Sequence, residues 1–506
     1  MASTVLDLNS DTYVLACKAP LHAKIYYIIP ASTLPCLSHM SENIIEARDG
    51  GAYCWFVVMA SCYCNVFVFG FFQASGPFLV AIQKDLNLSA TKTSWLLSLL
   101  LTMQMMLGPI SNVTTSKCGY RVTVFTGAVL CALGSLLSSF ARNVTFLYFS
   151  FSTLIGLGHA LIASPSLGIV ALYFDKWFAI ANAIAMSGSA YGILVLNPLF
   201  QALIDNFGWQ NAFIVLSGIQ LQMCLCALLF KNPMHSFNSS PTTEKTGEPY
   251  VINDPNIPVQ NDQYQKTTLS CKEIFVNILH MFDCNLLVKH KAFLLFSVVF
   301  GLGVGAGYQG LPAYIFMQAE FLHLASSLKI SLLVSIFGVF NLVGRIATMP
   351  LKASKNRIFT SSHVFGCSLF VAGVATIISV LIDTYVLFAF YASFVGLFCG
   401  LLFPCISLLT AEYLSAEKVT AGMSIAFLWN GAGSLIGPNV AGFLYDISGN
   451  YNNSLYWYGT TMAVCGLAFL IIEPLLIQSD RNSVEEEHLV EITKTVARSS
   501  YETMKE

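Results

Sequence analysis

The chain has 506 residues, of which 55% are hydrophobic and only 10% are charged, with a formal net charge of −2 at pH 7. Soluble domains carry about 25% charged residues, so this composition indicates a membrane protein. The small net charge gives no electrostatic basis for binding nucleic acid. The 15 cysteines are scattered without the spacing of a metal site.

Residues 1–48 are predicted to form a cytoplasmic N-terminal tail. They contain no basic segment followed by a long apolar core and a cleavage site, so we identify no signal peptide. A helix needs about 20 apolar residues to cross the hydrocarbon core. The apolar stretch at 25–37 is too short and too interrupted by proline to do so.

Twelve apolar runs of sufficient length follow, and each predicts a membrane-spanning helix. They lie at 55–82, 94–114, 122–141, 146–173, 179–203, 210–230, 292–318, 328–350, 358–381, 384–411, 419–444 and 453–478. A polar connector at 231–290 separates a six-helix half at 49–230 from a second half at 291–478. A charged tail at 479–506 follows.

Basic residues concentrate in alternate short loops, and the positive-inside rule assigns those loops to the cytoplasm. The connector and both termini fall on the same side. The basic residues of the short cytoplasmic loops are Lys117, Arg121, Lys176, Lys352, Lys355, Arg357 and Lys418. We therefore expect a multi-pass membrane protein with both termini in the cytoplasm.

The two halves contain a weak internal repeat. The fifth span reads SGSAYGILVLNPLFQALIDNFG and the eleventh NGAGSLIGPNVAGFLYDISG, each with paired glycines, a proline and then Asp205 or Asp446. Small residues at such spacing allow close approach of neighbouring helices. Two parallel six-helix halves are typical of major facilitator transporters, so we predict an all-α membrane protein of that fold.

Arg345 is the one basic residue well inside a predicted span. A charge near the bilayer centre costs roughly 2.5–3.5 kcal/mol on insertion scales, so such residues usually face a partner or an aqueous path. Asn341 lies four residues earlier, on the same helix face. Because the guanidinium fork suits a carboxylate, the pair predicts an anion site. The alternative is that Arg345 snorkels to the cytoplasmic surface.

Other polar and aromatic groups lie at suitable depth in the spans. Asn65 and Tyr308 are candidates either for substrate contact or for a hydrogen bond between helices, and Phe394 is a candidate for setting pocket size. His159 is a candidate proton relay, although a lone intramembrane histidine is more often bonded to a neighbouring helix. We find no nucleophile, phosphate-binding loop or metal motif, so we predict no enzyme activity and no cofactor.

Three stretches resemble the monocarboxylate transporter family of the major facilitator superfamily. They are DGGAYCW at 49–55, YFDKWFAIANAIAMSGSAYG at 173–192 and GPNVAGFLYDISGNYNNSLYWYG at 437–459. The positions that match the signatures of the family are Asp49, Gly50, Gly51, Tyr173, Phe174, Lys176 and Gly188. The family usually has a run of basic residues after Phe174, whereas this chain keeps only Lys176.

The resemblance implies a secondary transporter of monocarboxylates or related small organic acids that works by alternating access. Proton-coupled lactate carriers of the family use an aspartate–arginine pair in span eight and a lysine in span one. The arginine matches Arg345, but Asn341 stands at the aspartate position and the lysine position falls near Pro77. We therefore expect facilitated transport rather than tight proton coupling.

Two alternatives stay open. The first span is similar to that of family members that carry aromatic amino acids and thyroid hormones without proton coupling. A protein of a different class, a nutrient sensor or scaffold that transports little, would keep the same fold. The resemblance also implies the plasma membrane and, for some members, a single-span accessory glycoprotein as partner.

Overall fold

A computed structural model describes residues 4–9, 12–18, 24–30, 51–174, 177–231, 290–348, 361–414 and 419–503. The predicted connector, apart from its first and last residues, lies outside the described residues. The proposed domain division therefore stays a prediction.

Three short strands precede the helices: β1 (Thr4–Asn9), β2 (Thr12–Lys18) and β3 (Lys24–Pro30). They form an antiparallel sheet in the order β1-β2-β3. They are not among the predicted elements, although β-branched and aromatic residues in all three favour extended backbone. Every regular element that the structure describes from residue 51 onwards is helical, in agreement with an all-α bundle.

The helices of the first half are α1 (Ala52–Gln73), α2 (Gly76–Asp85), α3 (Ala90–Met106), α4 (Gly108–Ser138), α5 (Val144–Tyr173), α6 (Phe178–Leu221) and α7 (Met223–Leu229). Those of the second half are α8 (Lys291–Phe321), α9 (Ser327–Ala347), α10 (Ser361–Leu381), α11 (Tyr385–Tyr413), α12 (Val419–Ser448) and α13 (Asn452–Thr503).

Nine helical stretches of the described part are long and apolar enough to cross a membrane. One of them, Ile180–Leu229, contains two predicted spans, which meet at Gly208. The backbone of Gly208 has φ +76°, which interrupts the helix and which glycine adopts without steric cost. Of the remaining two predicted spans, 94–114 begins in α3, which has 17 residues. The span at 419–444 lies in α12, which has 30 residues. These elements together hold the twelve predicted spans.

Glycines bring corresponding helices of the two halves into close contact, as the repeat predicts. In the first half, a side chain at Gly188 or Gly192 would collide with the α1 backbone. In the second half, one at Gly433 or Gly437 would collide with the backbone of α8. The same packing in both halves supports the internal repeat.

The halves also contact each other at the end of the bundle that the topology predicts to be outer. Lys84 Nζ of α2 lies 3.1 Å from Glu320 Oε1 of α8. The Asp446 carboxylate of α12 accepts hydrogen bonds from the backbone of Ala90 and Thr91 at the start of α3, at 2.8 and 3.0 Å. The hydroxyls of Ser94 and Tyr314 lie 2.7 Å apart and form a further, buried contact between the halves.

Candidate functional site

Two membrane helices are broken, and the breaks meet. The first predicted span stops at Gln73 and resumes as α2 at Gly76, with proline next in sequence. In α8, a π-helical segment at Phe300–Ala306 and a turn at 307–310 precede a regular helix that begins at Leu311. The Tyr308 hydroxyl in this turn donates to Gln73 Oε1 across the two halves at 2.9 Å. Broken helices commonly line binding sites in transporters.

Arg345 lies in the last turn of α9 and is only 7% exposed. Its Nε donates to Asn341 Oδ1 at 3.0 Å, within the same helix. Its Nη1 donates to the carbonyl oxygen of Met186 in α6 at 2.8 Å, so it joins the two halves. The guanidinium carbon lies 4.6 Å from the centre of the Phe403 ring, which covers one face of the group.

Two buried donors at this place have no hydrogen-bond partner in the part of the chain that the structure describes. They are Arg345 Nη2 and Asn341 Nδ2. Arginine has donors only, so the Asn341 oxygen must face it and the amide nitrogen must face away. One salt bridge, Lys84–Glu320, is found among the described residues. Arg345 therefore has no carboxylate partner there, and the site can accept an anion.

Aromatic rings surround this pair of donors. Tyr308 packs edge-on against Phe403 with ring centres 5.7 Å apart, and its ring lies 6.4 Å from that of Phe337. The Tyr308 hydroxyl lies near the Asn341 amide, at the limit of hydrogen-bond range, and near enough to Arg345 to interact with it electrostatically. A buried charge surrounded by rings is poorly screened, so an anion would bind it more strongly than at the surface.

The structure places two other predicted site residues apart from this group. Asn65 is buried in α1, where Nδ2 donates to the Ser61 carbonyl at 2.8 Å and Oδ1 lacks a partner among the described residues. It packs beside Gly188. Phe394 is 46% exposed and contacts Phe398, with ring centres 4.8 Å apart. No hydrogen bond or ring contact joins either residue to Arg345 within the described ranges.

His159 is fully buried in α5, and its ring meets the edge of Phe71 at 5.5 Å. Neither ring nitrogen has a hydrogen-bond partner among the residues that the structure describes. A proton relay needs a donor and an acceptor within reach of the imidazole. The proposed relay role therefore has no hydrogen-bonded path in the described residues, and it stays a prediction.

The described signature residues contact each other. Tyr53 and Trp55 of the first stretch pack against Tyr173 and Phe174 of the second, with ring centres 6.0 and 5.1 Å apart. Gly51 is the N-cap residue just before α1, and Gly188 allows α6 to approach α1. Asp49, Gly50 and Lys176 lie outside the described residues. These contacts give the signature positions a packing role at one end of the first half.

Four groups at the site are not among the residues that the sequence predicts. Gln73, Phe337 and Phe403 are three among many polar and aromatic residues, and no periodicity in the sequence marks them out. The Met186 carbonyl belongs to the backbone and has no signature at all. The one available signal is the Gly76–Pro77 pair, which marks the break beside Gln73.

The model of the Major Facilitator Superfamily matches this chain at residues 62–362 and 324–500. Monocarboxylate transporter 12 of Xenopus laevis is 25% identical over 438 residues, covering 85% of this chain and 91% of the relative. Monocarboxylate transporter 2 of Mus musculus is 28% identical over 431 residues, covering 84% of each.

Solved transporter structures share the fold. A POT family transporter in complex with 5-aminolevulinic acid superimposes with a TM-score of 0.61 at 16% identity, covering 83% of this chain and 96% of the other. A point mutant of the nucleoside transporter NupG gives a TM-score of 0.60 at 13% identity, covering 82% and 99%. At these identities the likeness establishes architecture alone.

Proposed function

The chain belongs to the Major Facilitator Superfamily, a class of secondary transporters rather than enzymes, and on that premise we propose that it carries small monocarboxylates by facilitated transport. The observation that carries the proposal is the pair of unpartnered, buried donors, Arg345 Nη2 and Asn341 Nδ2. They would bind one carboxylate, which suits a monoanionic substrate.

Facilitated rather than proton-coupled transport is proposed because Asn341 cannot take up a proton. An aspartate beside an arginine would be protonated in acid and would lose its negative charge. Proton binding would then be linked to anion binding at the arginine. The amide has no such equilibrium, and no described carboxylate forms an ion pair with Arg345. The anion would then cross alone or in exchange for another anion.

The first test is labelled uptake into expressing oocytes, comparing L-lactate with L-phenylalanine at acidic and neutral external pH. Arg345→Ala should reduce uptake at least about ten-fold while leaving surface expression unchanged, because truncation removes the charge that binds the anion. Arg142→Ala removes a charge from an exposed loop position and serves as the control. Equal loss of uptake and surface expression would assign Arg345 a structural role instead.

Aromatic amino acids form the second candidate substrate class, favoured by the rings of Phe403, Tyr308 and Phe337 around the donors. Uptake of L-phenylalanine in preference to L-lactate would support it. Binding without transport by the purified protein in liposomes would instead support a sensor.

We also propose that the protein lies in the plasma membrane with both termini in the cytoplasm. The distribution of basic residues supports this orientation, and the resemblance to the monocarboxylate transporter family supports this membrane. A single-span accessory glycoprotein stays a proposal from the family alone.

A further inference from the structure

The bond from Arg345 to Met186 connects the two halves of the bundle at the proposed anion site. Met186 lies in α6 of the first half and Arg345 in α9 of the second. These two helices have one other polar contact in the described residues, from Ser335 Oγ to the Leu194 carbonyl at 2.9 Å. The guanidinium is therefore both a candidate substrate ligand and a structural link between the parts that must move.

A carboxylate that binds an arginine through two hydrogen bonds uses Nη2 together with either Nε or Nη1. Nη2 has no partner among the described residues, whereas Nε and Nη1 already donate. The single N–H of Nε is bonded to Asn341 Oδ1, and one of the two N–H groups of Nη1 is bonded to the Met186 carbonyl. A carboxylate that binds through Nε and Nη2 must therefore displace Asn341 Oδ1, whereas one that binds through Nη1 and Nη2 shares Nη1 with the Met186 carbonyl.

The Met186 carbonyl keeps other hydrogen bonds when Arg345 leaves it, whereas Asn341 Oδ1 does not. It is inside α6, where the backbone N–H of Ala190 bonds to it, and the Ser189 hydroxyl also donates to it at 3.0 Å. Two other donors would therefore remain after Arg345 leaves. Asn341 Oδ1 has no other donor among the described residues, so its displacement would leave a buried acceptor unpaired.

We propose that a substrate carboxylate takes Arg345 Nη1 from the Met186 carbonyl, and that this exchange couples substrate binding to release of α6 from α9. This inference rests on the proposed function of Arg345 as the carboxylate ligand. The Met186 carbonyl acts as an internal competitor for the guanidinium. While Nη1 donates to the Met186 carbonyl, the guanidinium is less available to the carboxylate, which raises the apparent KM.

The test weakens the competitor without changing a side chain at the site. A residue whose backbone N–H is replaced by an ester oxygen makes the preceding carbonyl a poorer acceptor. The α-hydroxy analogue of alanine at position 187 does this to the Met186 carbonyl, and Ser187→Ala is its matched reference. Uptake of L-lactate and of L-phenylalanine should then show a KM about two- to five-fold lower, at unchanged surface expression.

A second variant should act in the opposite direction. Ser189→Ala removes a competing donor from the same carbonyl, so the Arg345 link strengthens and KM rises by a similar factor. The control is the α-hydroxy analogue of valine at position 195, which weakens the Leu194 carbonyl that accepts from Ser335. That bond also joins the halves but does not compete with substrate, so the control should leave KM unchanged.

Three results would overturn the exchange. They are an unchanged KM in the ester variant at position 187, an equally large fall of KM in the ester control at position 195, or a fall of KM in Ser189→Ala. Should the ester variant fail to reach the surface, Ser189→Ala alone decides by its sign. Failure of the proposed function has a different readout. In that case neither probe is taken up, or Arg345→Ala transports as the unmodified chain does.

Discussion

At the scale of single residues, Asn341 determines the charge state of the site. Its Oδ1 is held 3.0 Å from Arg345 Nε, so its Nδ2 faces away from the guanidinium and remains a second buried donor. An aspartate in the same place would present only acceptors and would neutralise the guanidinium. Replacement of this amide by a carboxylate would therefore convert an anion site into a buried ion pair.

We expect Asn341→Asp to lower uptake at neutral pH about ten-fold, because the new carboxylate competes with the substrate for Arg345. Acidic external pH should restore uptake, since protonation of the aspartate frees the guanidinium. Labelled uptake at both pH values measures the effect. Asn341→Ala is the control: it removes the amide without adding an acid, so its uptake should be low and independent of pH. Identical pH profiles for the two variants would contradict the prediction.

The sequence predicts that Arg345 and Asn341 lie on one face of a span, because a charge inside a span and the four-residue helical spacing are local properties, and the structure shows the two side chains buried and bonded to each other. Their role as substrate ligands stays a prediction. The sequence does not predict the acceptors and rings around them: Phe403 carries no signal, whereas the predicted Phe394 is half exposed. With 38 phenylalanines in the chain, only the packing of α11 against α9 determines which ring reaches the guanidinium.

At the scale of elements, the breaks in the first span and in α8 matter most. Each break places a polar side chain in an apolar bundle, and the bond between Tyr308 and Gln73 satisfies both groups. The spans themselves could be predicted, because apolar length is a local signal. The Gly76–Pro77 pair signals the break in the first span, but the break in α8 could not be located, since the GLGVGAG stretch fits an unbroken helix nearly as well as the π-helical segment.

Tyr308→Phe removes only the hydroxyl of this link. We expect it to change the Vmax of uptake by about two- to ten-fold, because a buried hydrogen bond between the halves contributes about 0.5–1.5 kcal/mol to one conformation. Surface expression should be unchanged. Tyr458→Phe is a matched control, since the Tyr458 hydroxyl is equally buried and has no partner among the described residues. Equal effects of both variants would indicate general packing damage.

At the scale of the whole molecule, the halves are in contact at the predicted outer end. Asp446 of the second half accepts three hydrogen bonds there, two from backbone N–H groups and one from the Thr91 hydroxyl at 2.5 Å. Within the described residues, the one hydrogen bond to Asp205, its counterpart in the repeat, comes from Gln201 of the same helix, at 2.7 Å. The sequence shows the repeat but not this asymmetry, which arises from contact between the halves.

The Asp446 contact should not respond to pH in the range of transport assays. Partial burial acts to raise the pKa of Asp446, but hydrogen bonds from Thr91 and Ala90 lower it below the usual 3.8. A lowered pKa means that the contact is complete at higher pH and is lost only as pH falls through that value. Asp446→Asn should therefore change uptake by the same factor at mildly acidic and neutral pH.

Asp205→Asn should leave uptake unchanged at either pH, because its carboxylate does not reach the other half. The measurement is the ratio of variant to unmodified uptake at each pH. A ratio for Asp446→Asn that approaches one in mild acid would show that Asp446 titrates there, contrary to expectation.

Transport should require the predicted outer end of the bundle, where α2 and α8 meet, to open. The Lys84–Glu320 pair is weak in itself, because Lys84 is 66% exposed and exposed ion pairs contribute about 0–1 kcal/mol. Single substitution of Lys84 by cysteine should therefore change uptake little. Joining Lys84→Cys to Glu320→Cys with a short, reducible thiol cross-linker should instead abolish uptake, because alternating access requires the halves to separate at each end in turn. Reductant should restore uptake. The single variants and the unmodified chain, treated alike, control for the native cysteines. Persistent transport by a fully cross-linked carrier would mean that substrate enters by a route that leaves α2 and α8 together.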